Sequence, residues 1–272
     1  MKTAAIPDSG IDRLRRVRAW AAAGFSSLLP RSGQRHPRDI SAEALSAALE
    51  AAARPDLLTE LVGTARRSFG FFPDHHHHTI GGPWVARLLE DVPQGSRVLD
   101  VGAGLSALPV FLAESGQIVD CVDSHPIVRT PPPTADWNEW GFFDYARLHA
   151  NLRAHHCPIA EFVPPHRFDV IYSVAVFAHL SASERRMAFL VCRNLLRPGR
   201  TFLATLDLIP GTELLWNTRE GSEVELAERH GGIIEVRHEL ADLGFRIEEL
   251  RVHRMVPRSR TDLLFVRCVL NS

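Results

Sequence analysis

The sequence predicts an α/β protein with a doubly wound, mostly parallel sheet, an antiparallel C-terminal hairpin strand and an N-terminal helical appendage. Beyond the first 96 residues, apolar runs of strand length alternate with stretches of helical periodicity, which favours parallel pairing. The first 70 residues show helical patterns without an evident strand, and strand patterns at 245–253 and 261–270 close the chain. We therefore expect residues 1–80 to form the appendage and residues 81–272 the α/β domain.

The composition narrows the class of protein and of partner. The 272 residues include 31 basic and 32 acidic ones, a near-neutral balance that gives nucleic acid no general attraction. No apolar run is long enough to span a bilayer, so we expect no stable membrane insertion. Four scattered cysteines without a CxxC pair indicate reduced thiols and a cytoplasmic location. These features favour a small-molecule partner and leave the oligomeric state open.

The appendage is predicted to contain three helices. The first covers 11–28, the second runs from Ser41 to just before Pro55, and the third runs from Asp56 to Arg67. The arginines of the first helix are expected to form a solvated face, with a targeting peptide as the alternative.

A glycine turn after the first predicted strand organises the α/β domain. The apolar run that begins at Val98 ends in Asp100, and Gly102-x-Gly104 follows before a helical pattern at 105–114. Glycines in such a turn let a ligand approach the backbone, and the N–H groups of a helix start attract negative charge. Asp100 is placed to attract a cationic group of the same ligand.

Two further polar residues end predicted parallel strands close to this turn. Asp123 ends the strand pattern at 117–123, about 20 residues beyond the turn, which is the spacing of an acid that binds ribose hydroxyls. Ser173 ends the strong strand pattern at 168–173. Because ligands bind outside the carboxyl ends of such strands, these residues predict a site for a nucleoside with a zwitterionic or phosphate tail.

The other elements expected in the α/β domain alternate between helix and strand. They are a helix at 145–155, a third strand at 157–162, a helix from the capping box Ser181-x-x-Glu184 to Leu196, a stop at Arg197-Pro198-Gly199, a strand at 201–207, a long connection at 208–231 and a helix at 233–243 that ends at Gly244.

In these motifs the sequence resembles the class I S-adenosylmethionine-dependent methyltransferases over about residues 80–270. The motifs that carry the resemblance are Val98–Gly104, Val122-Asp123, Phe168–Ile171, His179-Leu180, Leu196–Phe202 and the terminal helix and hairpin at 240–270.

The resemblance implies an enzyme with S-adenosyl-L-methionine as cofactor, and it implies roles for particular residues. Gly102 and Gly104, with Ala103 between them, would line the methionine part of the cofactor. Asp100 would hold the ammonium group, Asp123 would hold the ribose with Ser124 beside it, and Ser173 would lie close to the methionine end. The acid on the adenine side is Asp144 or Glu161.

The same resemblance implies methyl transfer by in-line attack of an acceptor atom on the sulfonium methyl, most simply O- or N-methylation of a small or medium-sized molecule. The protein mainly aligns the reactants and excludes water. His179 is the candidate catalytic base, and a structural histidine before Ser181 is the alternative. Ser106 stands in place of the family's frequent third glycine, and Ala178 in place of an acid that often precedes the histidine.

A run of four histidines, 75–78, lies outside these motifs. Solvated or hydrogen-bonding loop histidines are the favoured interpretation, and a substrate or proton-transfer role is the alternative. Since adjacent residues cannot all face one ion, at most two would ligate a metal, and no metal ligand is assigned. Aromatic residues at 137–145 and Trp216 are expected in core or lid packing, or in a wall of the substrate pocket.

Two other functions compete with methyl transfer. The pattern Gly102-x-Gly104-x-x-Ala107 also satisfies the dinucleotide fingerprint of an NAD(P)-dependent oxidoreductase. Asp100, the long helical start and the closing hairpin argue against that class. A non-catalytic protein that binds a nucleoside is the other alternative. An aminopropyl transferase is more remote, because no paired acids follow the fourth strand.

Overall fold

The computed structural model describes residues 39–51, 54–73, 75–130, 141–215, 230–254 and 261–271. Among these residues, nine strands form a seven-stranded and a two-stranded sheet. The strands are β1 (Arg97–Val101), β2 (Ile118–Asp123), β3 (Val128–Arg129), β4 (Phe142–Phe143), β5 (Leu152–His156), β6 (Phe168–Val174), β7 (Leu196–Leu208), β8 (Phe245–His253) and β9 (Asp262–Leu270).

The large sheet has the order β5-β2-β1-β6-β7-β9-β8. Neighbours from β5 to β7 pair in parallel, while β9 pairs antiparallel with both β7 and β8. The mostly parallel sheet with an antiparallel C-terminal hairpin is therefore confirmed.

Six α-helices and several shorter turns of helix connect the strands in the described part of the chain. The α-helices are α1 (Ala42–Ala51), α2 (Pro55–Phe69), α3 (Gly82–Leu88), α4 (Leu108–Glu114), α5 (Ala182–Leu195) and α6 (Ile233–Asp242). A π-helix covers His77–Gly81, and 3₁₀ turns cover Tyr145–Arg147, Ile159–Glu161 and Phe177–His179. No helix in the described ranges is both long and apolar enough to cross a membrane.

Helices cover both faces of the sheet, as the doubly wound prediction requires. Successive residues of β1 point to opposite faces, so Val98 packs with α1 to α4 and Leu99 packs with α5 and α6. The described helices of the predicted appendage thus share one hydrophobic core with the sheet. The boundary at residue 80 stays a prediction, and the helix expected at 11–28 lies outside the described residues.

The capping box at the start of α5 is confirmed. The Ser181 hydroxyl accepts a hydrogen bond from the Glu184 backbone N–H, and the Glu184 carboxylate accepts one from the Ser181 N–H. The helix end expected just before Arg197-Pro198-Gly199 is confirmed, because α5 ends at Leu195. β7 then begins at Leu196 rather than at 201, and it takes up residues 197–199 in a bulge opposite β6.

The region before β6 also differs from the prediction. The helix expected at 145–155 and the strand expected at 157–162 are wrong: a 3₁₀ turn is followed by β5, and a second 3₁₀ turn covers Ile159–Glu161. β5 lies at the edge of the sheet and is half exposed, so its residues, His155 and His156 among them, form no continuous apolar run. The usual signal of a buried strand was therefore missing.

Candidate functional site

A pocket of about 730 Å³ opens at the carboxyl ends of the central strands. The glycine turn after β1, the end of β2, the end of β6 and the histidine run form its walls. β1 has β2 on one side and β6 on the other, and the crossovers leave it in opposite directions. This is the switch point at which doubly wound sheets bind ligands.

The turn after β1 can be built only with glycine at position 102. Gly102 has φ 75°, and its N–H donates a 2.7 Å hydrogen bond to the Val122 carbonyl oxygen. A Cβ atom on Gly102 would lie 2.3 Å from Cγ2 of Val176, which is too close for any side chain. Val176 therefore packs directly against the main chain at Gly102, whereas the space beside Gly104 is nearly open.

Tyr145 stabilises the glycine turn through hydrogen bonds of its hydroxyl group. Its fully buried hydroxyl accepts a 2.7 Å hydrogen bond from the Ser106 N–H and lies 3.1–3.3 Å from the carbonyl oxygens of Ala103, Gly104 and Ser106. Residues 105–107 thus extend the turn, and α4 begins at Leu108 rather than at 105. Sequence reasoning treated Tyr145 as a packing residue, because nothing local marks a contact across about 40 residues.

Asp123 is held at the end of β2 by two backbone groups. Its Oδ2 accepts a 2.8 Å hydrogen bond from the Gly104 N–H, and its Oδ1 accepts a 2.7 Å bond from the His125 N–H. A carboxylate has about four acceptor positions, so each oxygen keeps one for a ligand. The acid at the end of β2 and the glycine turn are therefore one connected unit.

Asp100 is a buried carboxyl group at the floor of the pocket. Tyr172 donates a 2.8 Å hydrogen bond from its hydroxyl to Oδ2 of Asp100. Burial raises the pKa of Asp100 to about 8; the hydrogen bond from Tyr172 opposes this rise, and the charge of Asp123 adds to it. A cation bound beside Asp100 would favour its carboxylate form, because opposite charges stabilise each other in a buried site.

The structure brings seven of the eight predicted site residues to the pocket wall. They are Asp100, Gly102, Ala103, Gly104, Asp123, Ser124 and His179. Ser173 does not line the pocket: its side chain is fully buried and donates a 2.8 Å hydrogen bond to the Val101 carbonyl oxygen. Alternation along β6 turns its neighbours Tyr172 and Val174 to the pocket instead.

Neither acid proposed for the adenine side lines the pocket. Asp144 accepts a 2.7 Å hydrogen bond from Nε of Arg147, and Glu161 lies in the 3₁₀ turn one residue beyond the wall. The wall beyond β5 is formed by residues 157–160. The misplaced third strand was the reason for proposing these two acids.

The opposite end of the pocket is built by the histidine run and by β7. The Nε2 atom of His76 lies 3.0 Å from Oδ1 of Asp207, and only 11% and 8% of the two side chains are exposed. The π-helix approaches the strand ends closely, since a Cβ on Gly81 would lie 2.8 Å from Cγ1 of Val174. His75, His77 and Asp207 line the pocket on this side.

Burial lowers the pKa values of three of these histidines. Burial lowers the pKa of His75 to about 4; the charge of His76 adds to this effect and that of Asp207 opposes it. Burial likewise lowers the pKa of His78 to about 3 and holds that of His77 well below its usual range. The sequence predicts solvated or hydrogen-bonding loop histidines; His76 lies at hydrogen-bond distance from Asp207, and the other three lie in the pocket wall.

Ala175, at the same end of the pocket, has an unusual backbone conformation. It has φ 58°, a left-handed conformation that costs a non-glycine residue about 1 kcal/mol or more. Its N–H lies 3.0 Å from the carbonyl oxygen and 3.1 Å from the Oγ1 of Thr205, which hold the conformation. Ala175 lines the pocket, and no feature of the sequence marks it.

Solved structures of known proteins resemble this fold. NodS, an N-methyltransferase from Bradyrhizobium japonicum, matches with a TM-score of 0.50 and 16% identity over 71% of this chain and 95% of its own. Phosphoethanolamine N-methyltransferase 2 from Haemonchus contortus, solved with S-adenosyl-L-methionine, matches with a TM-score of 0.50 and 14% identity over 71% of this chain and 52% of its own. A methyltransferase from Burkholderia thailandensis matches with a TM-score of 0.49 and 16% identity over 99% of this chain and 94% of its own.

Comparison of the sequence with known families and curated proteins finds no relative. No protein-family model matches the chain, and no curated protein does. At this level of identity the likeness to NodS and to the Haemonchus enzyme establishes the fold, which is that of the class I methyltransferases.

Proposed function

From its class I methyltransferase fold, we propose that the chain is an S-adenosyl-L-methionine-dependent methyltransferase that acts on a small or medium-sized acceptor. The observation that carries the proposal is the connected unit of glycine turn and Asp123, with Asp100 buried beneath it. The pocket volume of about 730 Å³ lies within the usual range for small-molecule and cofactor sites.

The donor set of the pocket suits a nucleoside that carries an amino-acid tail. The Asp123 carboxylate is available to two vicinal ribose hydroxyls, and residues 157–160 offer a partly apolar surface for a base. Asp100 is available to the ammonium group of the tail, directly or through water. The open space beside Gly104, which lines the pocket, leaves room for the tail itself.

The bound cofactor would supply an activated methyl group on a sulfonium centre. The chain's own residues then have to orient the cofactor, align the acceptor and exclude water. Asp123 and the glycine turn orient the cofactor at one end of the pocket. The other end, between His179 and Asp207, remains for the acceptor. The role of His179 as proton acceptor stays a prediction.

Amines are the first acceptors to test, because NodS and the Haemonchus enzyme are both named as N-methyltransferases. Small hydroxyl compounds are the second class. The test incubates the full chain with methyl-labelled S-adenosylmethionine and a panel of both classes, with Asp123→Ala as the control. We expect label in one acceptor class with the native chain and a much lower rate with the variant. Binding of the cofactor without transfer to any acceptor would favour the non-catalytic alternative.

A further inference from the structure

The histidine run contains a cluster that the proposed methyl transfer does not use. His75, His76 and His77 each offer a ring nitrogen, and the three nitrogens all lie within 4.8 Å of one another. The sequence predicts at most two ligands from adjacent residues. The bend from residue 75 into the π-helix removes that restriction, because it brings the ring centroids of His75 to 4.3 Å from those of both His76 and His77.

We propose that His75, His76 and His77 bind a divalent transition-metal ion of the zinc class at the acceptor end of the pocket. Imidazole nitrogens are preferred ligands of Zn²⁺ and of its neighbours in the transition series. Three protein ligands leave at least one coordination position for water or for a bound molecule. Because His75 and His77 line the pocket, an ion held by them would lie at its acceptor end.

Two features of the cluster suit a metal ion. Nδ1 of His75 is buried and makes no hydrogen bond within the described part of the chain, so its lone pair or proton has no protein partner there. Asp207 lies 3.0 Å from Nε2 of His76, and ligating histidines usually hold such a carboxylate with the ring nitrogen that does not bind the metal. We therefore assign Nδ1 of His76 to the metal and its Nε2 to Asp207.

The rings must close slightly around the ion. Nitrogens at about 2.1 Å from a tetrahedral zinc lie about 3.4 Å apart. The nitrogens of the cluster lie up to 4.8 Å apart, so the widest separation has to shrink by up to about 1.4 Å. Rotation about the Cα–Cβ bonds can supply such a movement.

Titration of the full, chelator-treated chain with Co²⁺ tests the site without any methyl donor or acceptor. We expect one equivalent to bind with a visible absorption band, and one equivalent of Zn²⁺ to remove that band. His76→Gln should weaken Co²⁺ binding at least tenfold. His238→Asn is the matched control, because His238 is exposed on α6 and should leave binding unchanged.

Two results would overturn the metal site. One is the absence of a saturable Co²⁺ band in the native chain. The other is equal binding by native chain, His76→Gln and His238→Asn, which would assign the ion to another part of the surface. Should His76→Gln fail to fold, as judged by thermal unfolding, His77→Gln replaces it. Neither outcome depends on methyl transfer, so the proposed function can fail or succeed separately.

Discussion

The two ends of the pocket are lined by different chemical groups. At the nucleoside end, where we place the ribose of the cofactor, the N–H groups of Gly104 and His125 fix the Asp123 carboxylate at the end of β2. Gly104 belongs to the turn that follows β1 directly. At the acceptor end, a run of four imidazoles lies in one short segment, and Nε2 of His76 lies 3.0 Å from a carboxylate 131 residues further along the chain. The first end therefore suits one charged and polar ligand, while the second can change without altering the first. Variants at the nucleoside end should change donor binding, whereas variants at the acceptor end should change methyl transfer and leave donor binding nearly unaltered.

The largest effect on the nucleoside end is expected from Gly102→Ala. The new Cβ would overlap Val176 at 2.3 Å, so the turn must move. We expect the affinity for S-adenosylhomocysteine to fall about 100-fold or more, together with a lower melting temperature, since strain at a special backbone conformation is among the most damaging changes. Isothermal titration and thermal unfolding measure both.

Gly95→Ala is the matched control for this change. Gly95 has a similar φ of 78° but no atom within 4 Å of the added Cβ, and it does not line the pocket. It should retain full affinity and lose only a small part of its stability. Equal losses of affinity and stability in both variants would show that the losses come from the positive φ and not from the contact with Val176.

The second largest effect is expected from Asp123→Ala. It removes the proposed ribose acceptor and leaves the N–H groups of Gly104 and His125 without their partner. We expect S-adenosylhomocysteine to bind about 1–3 kcal/mol more weakly, as for the loss of an important polar contact. Asp91→Ala, at an exposed position of the preceding turn, should bind normally. Unchanged affinity in Asp123→Ala would remove this residue from the site.

Asp100→Asn should separate stability from binding. The pKa of about 8 means that folded Asp100 keeps its proton between pH 4 and 8, where the unfolded chain has lost it. Stability is therefore lost as pH rises through this range. Asn cannot ionise, so the unliganded variant should melt several degrees above the native chain at pH 8. Each kcal/mol of added stability raises the melting temperature by roughly 2–4 °C. At pH 4 the variant should lose this advantage.

The same substitution should weaken ligand binding. A ligand ammonium favours the Asp100 carboxylate, so the native affinity for S-adenosylhomocysteine should rise from pH 6 to pH 8 with release of a proton. Asp100→Asn should bind about tenfold more weakly at pH 8, as expected for a lost bond to a charged group. It should also show a flatter pH profile. A steep profile in the variant would assign the proton to another group.

A smaller effect is expected from Tyr145→Phe. The ring remains in place, but the Ser106 N–H loses its acceptor and the turn loses a donor. We expect about 1 kcal/mol of lost stability and a several-fold weaker affinity for S-adenosylhomocysteine. Chemical denaturation and titration measure these changes. An unaltered affinity would mean that the turn keeps its shape without Tyr145.

The smallest effect on donor binding is expected from His179→Ala. His179 lines the acceptor end, so its loss should change the affinity for S-adenosylhomocysteine by less than about twofold. If His179 accepts the proton, methyl transfer should fall about 100-fold or more, the contribution that a general base makes. Normal turnover would exclude it as the base, and a large loss of donor affinity would contradict the division of the pocket into two ends.

The nucleoside end could be predicted from sequence because its signals are local. Asp100 in β1, the glycine turn and the acid at 123 all lie within one strand–helix–strand unit. Strand periodicity alone does not say which face of β6 meets the pocket, so it does not show that Ser173 lies behind the pocket wall. No sequence signal places Asp144 or Glu161 relative to the pocket, because the half-exposed edge strand β5 lacks the apolar run that marks a buried one.

The acceptor end could not be predicted because its partners are distant in sequence. Asp207 looks like an ordinary strand-end acid until β7 is placed two strands from β1. The histidine run has an evident composition, but its π-helical backbone carries no signal that would bring three rings together. Tyr145 and Ala175 likewise act through contacts across about 40 and 30 residues.

Titration of the full native chain with S-adenosylhomocysteine, and in parallel with NAD and NADP, distinguishes a methyltransferase from an oxidoreductase. We expect saturable binding of one S-adenosylhomocysteine per chain, with no heat and no competition from either dinucleotide. Binding of NAD or NADP without binding of S-adenosylhomocysteine would contradict this expectation and assign the glycine turn and Asp123 to an oxidoreductase.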